Sequence, residues 1–307
     1  MIIIIIIIMM KLLDWIDPEK LINDGLSRNP NAIDYLKANP HKISWGHLCT
    51  NPNAIDIINE NRDKIQWGFF SGNPSAIEIL KENIDKVNWS ILSTNSNAIS
   101  VLEENIDKID WLMLCINPAA IPLLKKHPDK IEWISLSFNI NAIKLLKKNT
   151  NKINWHILSE NEKAIQLLKE NFDKINWSYL SRNPSAISLL KENFHKINWY
   201  SLCYNPNAIE LLNNNINILM ELSDNNSIPS LSSNPNAISI LKKHQNFIQW
   251  YSFSENPSIF KYDYEMMKNS NLDLKEEIIA AALHPKRIFN LISKYGEDEI
   301  YDIYFDD

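Results

Sequence analysis

The stretch Asn183–Tyr204, NPSAISLLKENFHKINWYSLCY, carries the pattern that decides the fold. Similar stretches recur along the chain every 22 residues, and a fixed period of this length is typical of repeat architectures. Over all copies the pattern reads N-P-x-A-I-x-L-L-K-x-N-x-D-K-I-x-W-x-x-L-S-x. Its tryptophans are Trp45, Trp67, Trp89, Trp111, Trp133, Trp155, Trp177 and Trp199. We therefore predict an array of about nine or ten such units.

The first half of the unit has the features of a short helix. Asn183 is a favourable N-cap, and Pro184 suits the first helical position, where its missing N–H group costs nothing. Ile187 and Leu190 then lie on one apolar stripe. We expect Asn193 to take the left-handed conformation that ends many helices.

The second half allows two interpretations. Asp173 or Asn176 could cap a short helix that carries Trp177 and Leu180. Ile175 and Trp177 also alternate as they do in a strand. The strand pattern L-x-x-L-x-L of leucine-rich repeats, which are similar in length, is absent. We therefore predict an all-α fold, an α-solenoid of 22-residue repeats with two short helices each and with helical caps at its ends.

One unit is too small to be stable alone. Ordering its residues costs on the order of 30 kcal/mol, at about 1.5 kcal/mol per residue. Stacking joins the isoleucine, leucine and tryptophan columns of successive units into one core. Since a buried tryptophan removes ~150–250 Å² from water, we expect the eight tryptophans to form a buried ladder.

Departures from the pattern divide the chain. Residues 1–10 are a low-complexity apolar extension with seven isoleucines, Ile2–Ile8. The apolar run is shorter than the ~20 residues that span a bilayer, so we expect no stable membrane span. It also lacks the basic segment and cleavage site of a signal peptide. The extension is therefore either the result of a misassigned start or a short membrane or partner anchor.

The remaining boundaries follow from the repeat itself. Residues 11–28 resemble the second half of a unit and are predicted to form the N-terminal cap. Residues 29–255 form the array, with an insertion near 213–228 that could be a loop or a bend. Residues 256–307 are predicted to form a C-terminal helical cap, with helices at Leu274–Leu283 and Pro285–Lys294 and an acidic tail.

Composition argues against several classes of function. The net charge of −6 provides no basic surface for nucleic acid, and the five glycines argue against phosphate-binding loops. Three scattered cysteines do not make a disulfide scaffold, so we expect a protein that is not secreted. Cys49, Cys115 and Cys203 occupy a position that is serine in other units, where we expect a small packed side chain. We find no catalytic, cofactor or metal motif and predict that the chain is not an enzyme.

Exposed apolar side chains are the main candidate for function. The variable positions around Trp111 and Trp133 are apolar together, at Leu112, Ile116, Ile134, Phe138 and Ile140. Such patches commonly mark a site for a protein partner. The alternative is burial, because Phe69, Ile91 and Ile157 match the Met113 position; this alternative does not account for Ile116 or Phe138.

The motifs NPNAIDYLK, DKINWSYLSRNPSAISLLKEN and NPSIFKYDYEMMK, in this order, resemble a repeat family of large DNA viruses of amoebae and algae. The resemblance covers roughly residues 11–300 and implies a viral protein, without any catalytic residue. It departs from N-P at the units that begin with Asn95, Asn139 and Asn161. We expect an interaction scaffold that presents an elongated surface to a host or virion protein, in the host cytoplasm or the virion. A structural spacer or cement of the virus particle is the alternative.

The repeat predicts unequal effects of two substitutions in the middle of the array. Trp111→Ala removes a predicted core side chain and is expected to cost ~3–5 kcal/mol of stability, whereas Lys125→Ala is expected to change little. Thermal unfolding of the two variants measures the difference. Equal melting temperatures would refute the prediction.

Overall fold

A computed structural model of the chain describes residues 9–223, 228–270 and 288. The predicted apolar extension before Met9 lies outside them, as do the helices predicted after residue 270 except for Ile288. The chain divides into two compact units, Leu12–Phe260 and the residues that precede and follow it. Each is considered by itself below.

Short helices are the main secondary structure of the described residues. In chain order they are α1 (Asn23–Arg28), α2 (Ile33–Ala38), α3 (Trp45–Leu48), α4 (Ile55–Glu60), α5 (Trp67–Phe70), α6 (Ile77–Glu82), α7 (Trp89–Thr94), α8 (Ile99–Glu104), α9 (Trp111–Ile116), α10 (Ile121–Lys126), α11 (Trp133–Leu136), α12 (Ile143–Lys147), α13 (Trp155–Leu158), α14 (Ile165–Glu170), α15 (Trp177–Arg182), α16 (Ile187–Glu192), α17 (Trp199–Leu202), α18 (Ile209–Asn214), α19 (Ile216–Ser223), α20 (Pro229–Ser232), α21 (Ile238–Lys243), α22 (Trp250–Glu255) and α23 (Tyr264–Ser270). The prediction of an all-α repeat with two short helices per unit is confirmed.

Turns of 3-10 helix connect these helices. Those that lead into the first helix of a unit are Pro52–Ala54, Ser96–Ala98, Pro118–Ala120, Glu162–Ala164, Pro184–Ala186 and Pro206–Ala208, and Pro257–Ile259 follows the last asparagine of the array. Those between or before second helices are Pro18–Lys20, Pro40–Lys42, Arg62–Lys64, Ile84–Lys86, Ile106–Lys108, Pro128–Lys130, Thr150–Lys152, Phe172–Lys174, Phe194–Lys196 and Gln245–Phe247. We call the helix that begins at the repeat isoleucine the first helix, and the helix that begins at the tryptophan the second helix.

Of the two residues predicted to cap the first helix, Asn183 is confirmed and Asn193 differs. The side chain of Asn183 accepts a hydrogen bond from the Ser185 N–H group at the start of the 3-10 turn. Asn193 does not take the left-handed conformation that we expected, since its φ is −124° and its ψ is 47°. Its amide instead donates to the Leu189 carbonyl at 3.0 Å, which closes the helix end without a left-handed residue.

The second half of the unit is a helix, and the strand interpretation is wrong. Asn176 caps α15 by accepting hydrogen bonds from the N–H groups of Ser178 and Tyr179. Asp173, the alternative cap, lies in the preceding 3-10 turn. Ile175 is a single extended residue between that turn and the cap, so the alternation with Trp177 does not continue into a strand.

A buried asparagine joins each unit to the one before it. The amide of Asn139 donates to the carbonyls of Cys115 at 3.0 Å and Asn117 at 2.7 Å, while its oxygen accepts the N–H of Asn141. The same position is buried in every unit, at Asn29, Asn51, Asn73, Asn95, Asn117, Asn139, Asn161, Asn183, Asn205, Asn234 and Asn256. We call this set the asparagine ladder. It replaces hydration of the backbone groups that lie between units.

The ladder closes on itself within the unit Leu12–Phe260. Asn29 donates to the carbonyls of Ser254 at 3.0 Å and Asn256 at 2.8 Å, in the same pattern that joins Asn51 to Ser27 and Asn29. The first unit of the array is therefore stacked on the last, and the units form a closed cycle. This result differs from the predicted array with two capped ends.

Both predicted caps contribute to one further unit of the cycle. Residues 17–28 provide its 3-10 turn and second helix α1, and Asn256–Ile259 provides its opening turn. Helix α1 packs on α22 on one side and on α3 on the other, as second helices do elsewhere. Lys20 completes the fit by lying 5.4 Å from the ring centroid of Trp250. Two chain segments that are far apart in sequence thus complete a single repeat.

The inserted residues do not disturb the ladder. Where other units have a 3-10 turn, the chain forms the additional helix α19, whose Leu219 is buried. Asn234 nevertheless donates to the carbonyls of Cys203 and Asn205, which are 31 and 29 residues earlier. The insertion near 213–228 is therefore taken up within one unit; residues 224–227 lie outside the described structure.

Leucine, alanine and asparagine fill the core, and the predicted tryptophan ladder is not buried. Leu114 and Ala120 are fully buried, and equivalent residues are buried in the other units. None of the eight repeat tryptophans is buried; all lie at intermediate exposure, at the boundary between core and solvent. The correction follows from helix geometry, because Leu114 rather than Trp111 faces the first helix. The cost expected for Trp111→Ala is accordingly lower than for a fully buried side chain.

The two sides of the cycle differ in spacing. Second helices of neighbouring units pack directly against each other, as α7 does on α9 and α9 on α11. First helices are bridged by long side chains, for example by the ion pairs Lys126–Glu103 and Lys191–Glu210. In a closed cycle the more closely spaced helices lie on the inner side. The second helices therefore form the inner side, and the first helices form the outer side.

The other compact unit contains most residues of a short two-stranded sheet, whose remaining residues Leu12 and Phe260 are the ends of the unit Leu12–Phe260. Its strands are β1 (Met10–Leu12) and β2 (Phe260–Tyr262), and the Asp263 N–H donates to the Met9 carbonyl. Lys11 and Asp263 form an ion pair at 3.5 Å. Among the helices that the structure describes, none has the length and apolarity needed to cross a bilayer.

The asparagine ladder predicts a large loss of stability from a single buried amide. Asn139→Ala leaves the Cys115 carbonyl and the Asn141 N–H group without partners, at a cost of roughly 1–3 kcal/mol for each buried group, and the Asn117 carbonyl keeps only the Ala120 N–H. Asn141→Ala is the matched control, because that side chain is exposed and its two hydrogen bonds, to the Pro118 carbonyl and from the Lys163 ammonium, are both at the surface. Chemical unfolding should show a loss of several kcal/mol for the first variant and under about 1 kcal/mol for the second. Similar losses would contradict the role of the ladder.

Closure of the cycle predicts that replacing Gly25 with a larger residue lowers the stability of the fold. A methyl group there would lie 2.6 Å from the Tyr251 carbonyl oxygen and 2.8 Å from Ser254 Cβ, across the closing contact. Gly25→Ala is therefore expected to cost roughly 1–3 kcal/mol of unfolding free energy. Gly68→Ala is the control, since nothing lies within 4 Å of the added carbon and alanine favours helix. Unfolding in guanidinium chloride that shows equal stability for both variants would contradict closure.

Candidate protein-binding surface

Exposed apolar side chains are concentrated on the second helices and the residues that end them. The large ones are Phe69, Ile91, Leu112, Ile134, Phe138, Tyr179, Tyr200 and Tyr204. The first helices instead expose charged residues such as Glu78, Lys125 and Lys144. The closed cycle therefore has an apolar inner side and a charged outer side. Phe69 and Ile91 are exposed, so the alternative interpretation, which was burial at this position of the unit, is wrong for these two residues.

The predicted apolar residues come together on two neighbouring helices. Leu112 on α9 is 49% exposed, and Ile134 on α11 is 63% exposed. Phe138, just after α11, is 46% exposed, whereas Ile116 and Ile140 are half-buried. We call these five residues the apolar patch. Because α9 packs on α11, the patch is continuous across two units.

A break in a pattern of polar contacts explains why the patch is apolar. In the units on either side, the residue after one tryptophan contacts the residue before the next: Ser90 donates to Asp110 at 2.6 Å, and His156 lies 3.2 Å from the Asn176 amide. Leu112 occupies this position and cannot make the polar contact. The same is true of Ile134. Both units therefore present aliphatic side chains where their neighbours use hydrogen bonds.

Cations cover some of the half-exposed tryptophans and not others. The ammonium group of the next unit lies over the ring in the pairs Lys86–Trp67, Lys108–Trp89, Lys152–Trp133 and Lys196–Trp177, at 4.5–5.0 Å from the ring centroid. Three other lysines at this position instead pair with the preceding aspartate, in Lys64–Asp63, Lys130–Asp129 and Lys174–Asp173. Each of these seven lysines thus has a tryptophan face or a carboxylate as a partner.

Trp155 lies beside a surface pocket of about 460 Å³. His156, Asp173, Lys174 and Asn176 also line it. Lys174 is turned toward Asp173, with Nζ 3.0 Å from the carboxylate, and its hydrogen bond lowers the pKa of Asp173. Asp173 is therefore ionised at neutral pH, next to an indole face. The sequence carries a signal for this pocket that we did not recognise, because Thr150 stands where Phe172 and Phe194 stand in later units.

The three cysteines serve the contact between units. The sulfur of Cys49 accepts the Gln66 N–H, and that of Cys115 accepts the Glu132 N–H, as the serine hydroxyl does in other units. Burial raises the pKa of all three thiols, that of Cys203 to about 12. The thiols are therefore protonated at neutral pH and weakly nucleophilic. This placement agrees with the expected small, packed side chain.

Comparison of the chain with family models, curated proteins and solved structures gives no match. Among the described residues, histidine, cysteine and carboxylate side chains form no group of three that could hold a metal ion. Within the part of the chain that the structure describes, the apolar patch and the Trp155 pocket are two surface features with a defined chemistry.

Proposed function

We propose that the chain is a protein-interaction scaffold that binds a protein partner through the second helices of its repeat cycle. The observation that carries this proposal is the exposure of Leu112, Ile134 and Phe138 on adjacent helices. Burying such side chains in an interface is favourable by about 25 cal/mol per Å² of apolar area. Exposed apolar patches rimmed by polar residues commonly mark protein-binding sites.

The rigidity of the surface supports the same proposal. A ladder asparagine follows each second helix and bonds it to the preceding unit, as Asn117 does for α9, which Asp110 also caps. A surface that is ordered before binding loses little conformational entropy when the partner binds. The scaffold we propose is therefore preorganised, and its specificity lies in the residues that differ between units.

The proposal extends to the source and the class of the protein. The motif resemblance supports a viral protein whose partner belongs to the host cell or the virus particle. The protonated, buried thiols support a role without catalysis. We therefore propose binding rather than chemistry as the activity of this chain.

The test compares two apolar-to-charged substitutions of equal exposure. Phe138 in the apolar patch and Met220 on α19 are each 46% exposed. We expect Phe138→Glu to weaken partner binding at least about tenfold, since a buried unpaired carboxylate costs well over 1.4 kcal/mol, whereas Met220→Glu changes binding little. Affinity capture with the native chain identifies the partner, and titration of that purified partner measures each variant. Unchanged binding by Phe138→Glu, or equal loss in both variants, contradicts the proposal.

A further inference from the structure

Trp155 differs from Trp177 in two ways. Trp177 has the Phe172 ring edge 5.5 Å away and the Lys196 ammonium 4.6 Å from its centroid. At Trp155 the residue equivalent to Phe172 is Thr150, and the lysine equivalent to Lys196 is Lys174, which pairs with Asp173. The indole face of Trp177 thus binds the Lys196 ammonium, whereas Trp155 borders a pocket.

The pocket also contains a negative charge, the carboxylate of Asp173. Asp173 is fully exposed and holds Lys174 at 3.0 Å. A carboxylate has about four acceptor positions, so it can bind a second cation while it keeps the first. An ammonium or guanidinium group over Trp155 would thus have both an aromatic face and a carboxylate as partners.

We propose that the Trp155 pocket receives a basic side chain, arginine or lysine, of the protein partner. This inference rests on the proposed function and assigns the partner one chemical feature. The polar wall of the pocket suits such a ligand, because His156 and Asn176 contact each other there and can accept or donate hydrogen bonds. The apolar patch lies in the two preceding units, so we infer that the partner presents aliphatic groups followed by a cation.

A probe that needs no partner tests the chemistry of the pocket. The full chain is labelled with 5-fluorotryptophan and titrated with N-acetylarginine methylamide, and fluorine resonances are assigned from Trp155→Phe and Trp177→Phe. We expect a saturable shift of the Trp155 resonance and little change at Trp177, whose face is covered by Lys196. A Trp155 resonance that does not shift, or equal shifts at both rings, overturns the proposal. A Trp155 resonance that does not shift would mean that the indole face does not bind the probe, for example because Lys174 covers it in solution.

Two variants separate a cation site from general exposure. Asp173→Asn removes the carboxylate and releases Lys174, so the titration midpoint should rise about threefold or more. Lys196→Ala uncovers Trp177, whose resonance should then respond to the probe. Asp173 is exposed and Lys196 is half-buried at the surface, and unchanged resonances of the other tryptophans show that the fold is kept. An unchanged midpoint in Asp173→Asn contradicts the assigned role of the carboxylate.

The partner assay links the pocket to the proposed function. Trp155→Leu is expected to weaken binding of the captured partner about threefold to fivefold, the range of one exposed cation–π contact. If the probe shifts Trp155 but Trp155→Leu leaves partner binding intact, the pocket binds cations and the partner does not use it, which overturns this inference. If Phe138→Glu leaves binding intact while Trp155→Leu weakens it, the partner does not use the apolar patch, and binding through the Trp155 pocket is supported.

Discussion

The carboxamide of the ladder asparagine is the group on which the rest of the structure depends. Asn139 caps its own unit through its oxygen and binds two carbonyls of the preceding unit through its nitrogen. A buried amide with these three bonds has little freedom, because rotating it leaves the Cys115 carbonyl and the Asn141 N–H unsatisfied. The spacing and rotation between units are therefore fixed at one position. Asn234 shows the strength of this constraint, since it keeps the same partners across the insertion.

Because successive units are related in the same way, they close into a cycle. Closure changes how the first and last units are protected from solvent. An open solenoid exposes the apolar faces of its terminal units and needs caps. Here the residues 17–28 and Asn256–Ile259 complete one repeat between them, so Leu26 is as fully buried as Leu48. Closure joins the two termini of the repeat through tertiary contacts alone. Opening it costs the Asn29 bonds and the packing of α1 on α22 at once.

Periodicity predicted which residues are equivalent, and it could not predict where each column lies. The unit length, the two helices, the Asn183 cap and the role of the cysteine position followed from residue types at fixed spacing. Trp111 was misplaced because a large apolar residue at a regular position suggests burial, whereas the indole lies at the boundary and Leu114 fills the core. Closure was also beyond the sequence, because it depends on a small rotation per unit that is set by backbone geometry. The exposure of Leu112 and Phe138 was predictable, since neighbouring units carry polar residues there.

Equivalence between units also explains where function can lie in this fold. Residues of the ladder and of the leucine core are constrained in the same way in each unit, so they carry no information about a partner. The inner surface is not constrained in this way, and its departures are local: Leu112 and Ile134 stand where the adjacent units make polar contacts, and Thr150 stands where the two following units have phenylalanine. These three departures lie in consecutive units. A repeat that is uniform in its core and irregular over one arc of its surface is the arrangement expected if that arc is selected for contact with another molecule.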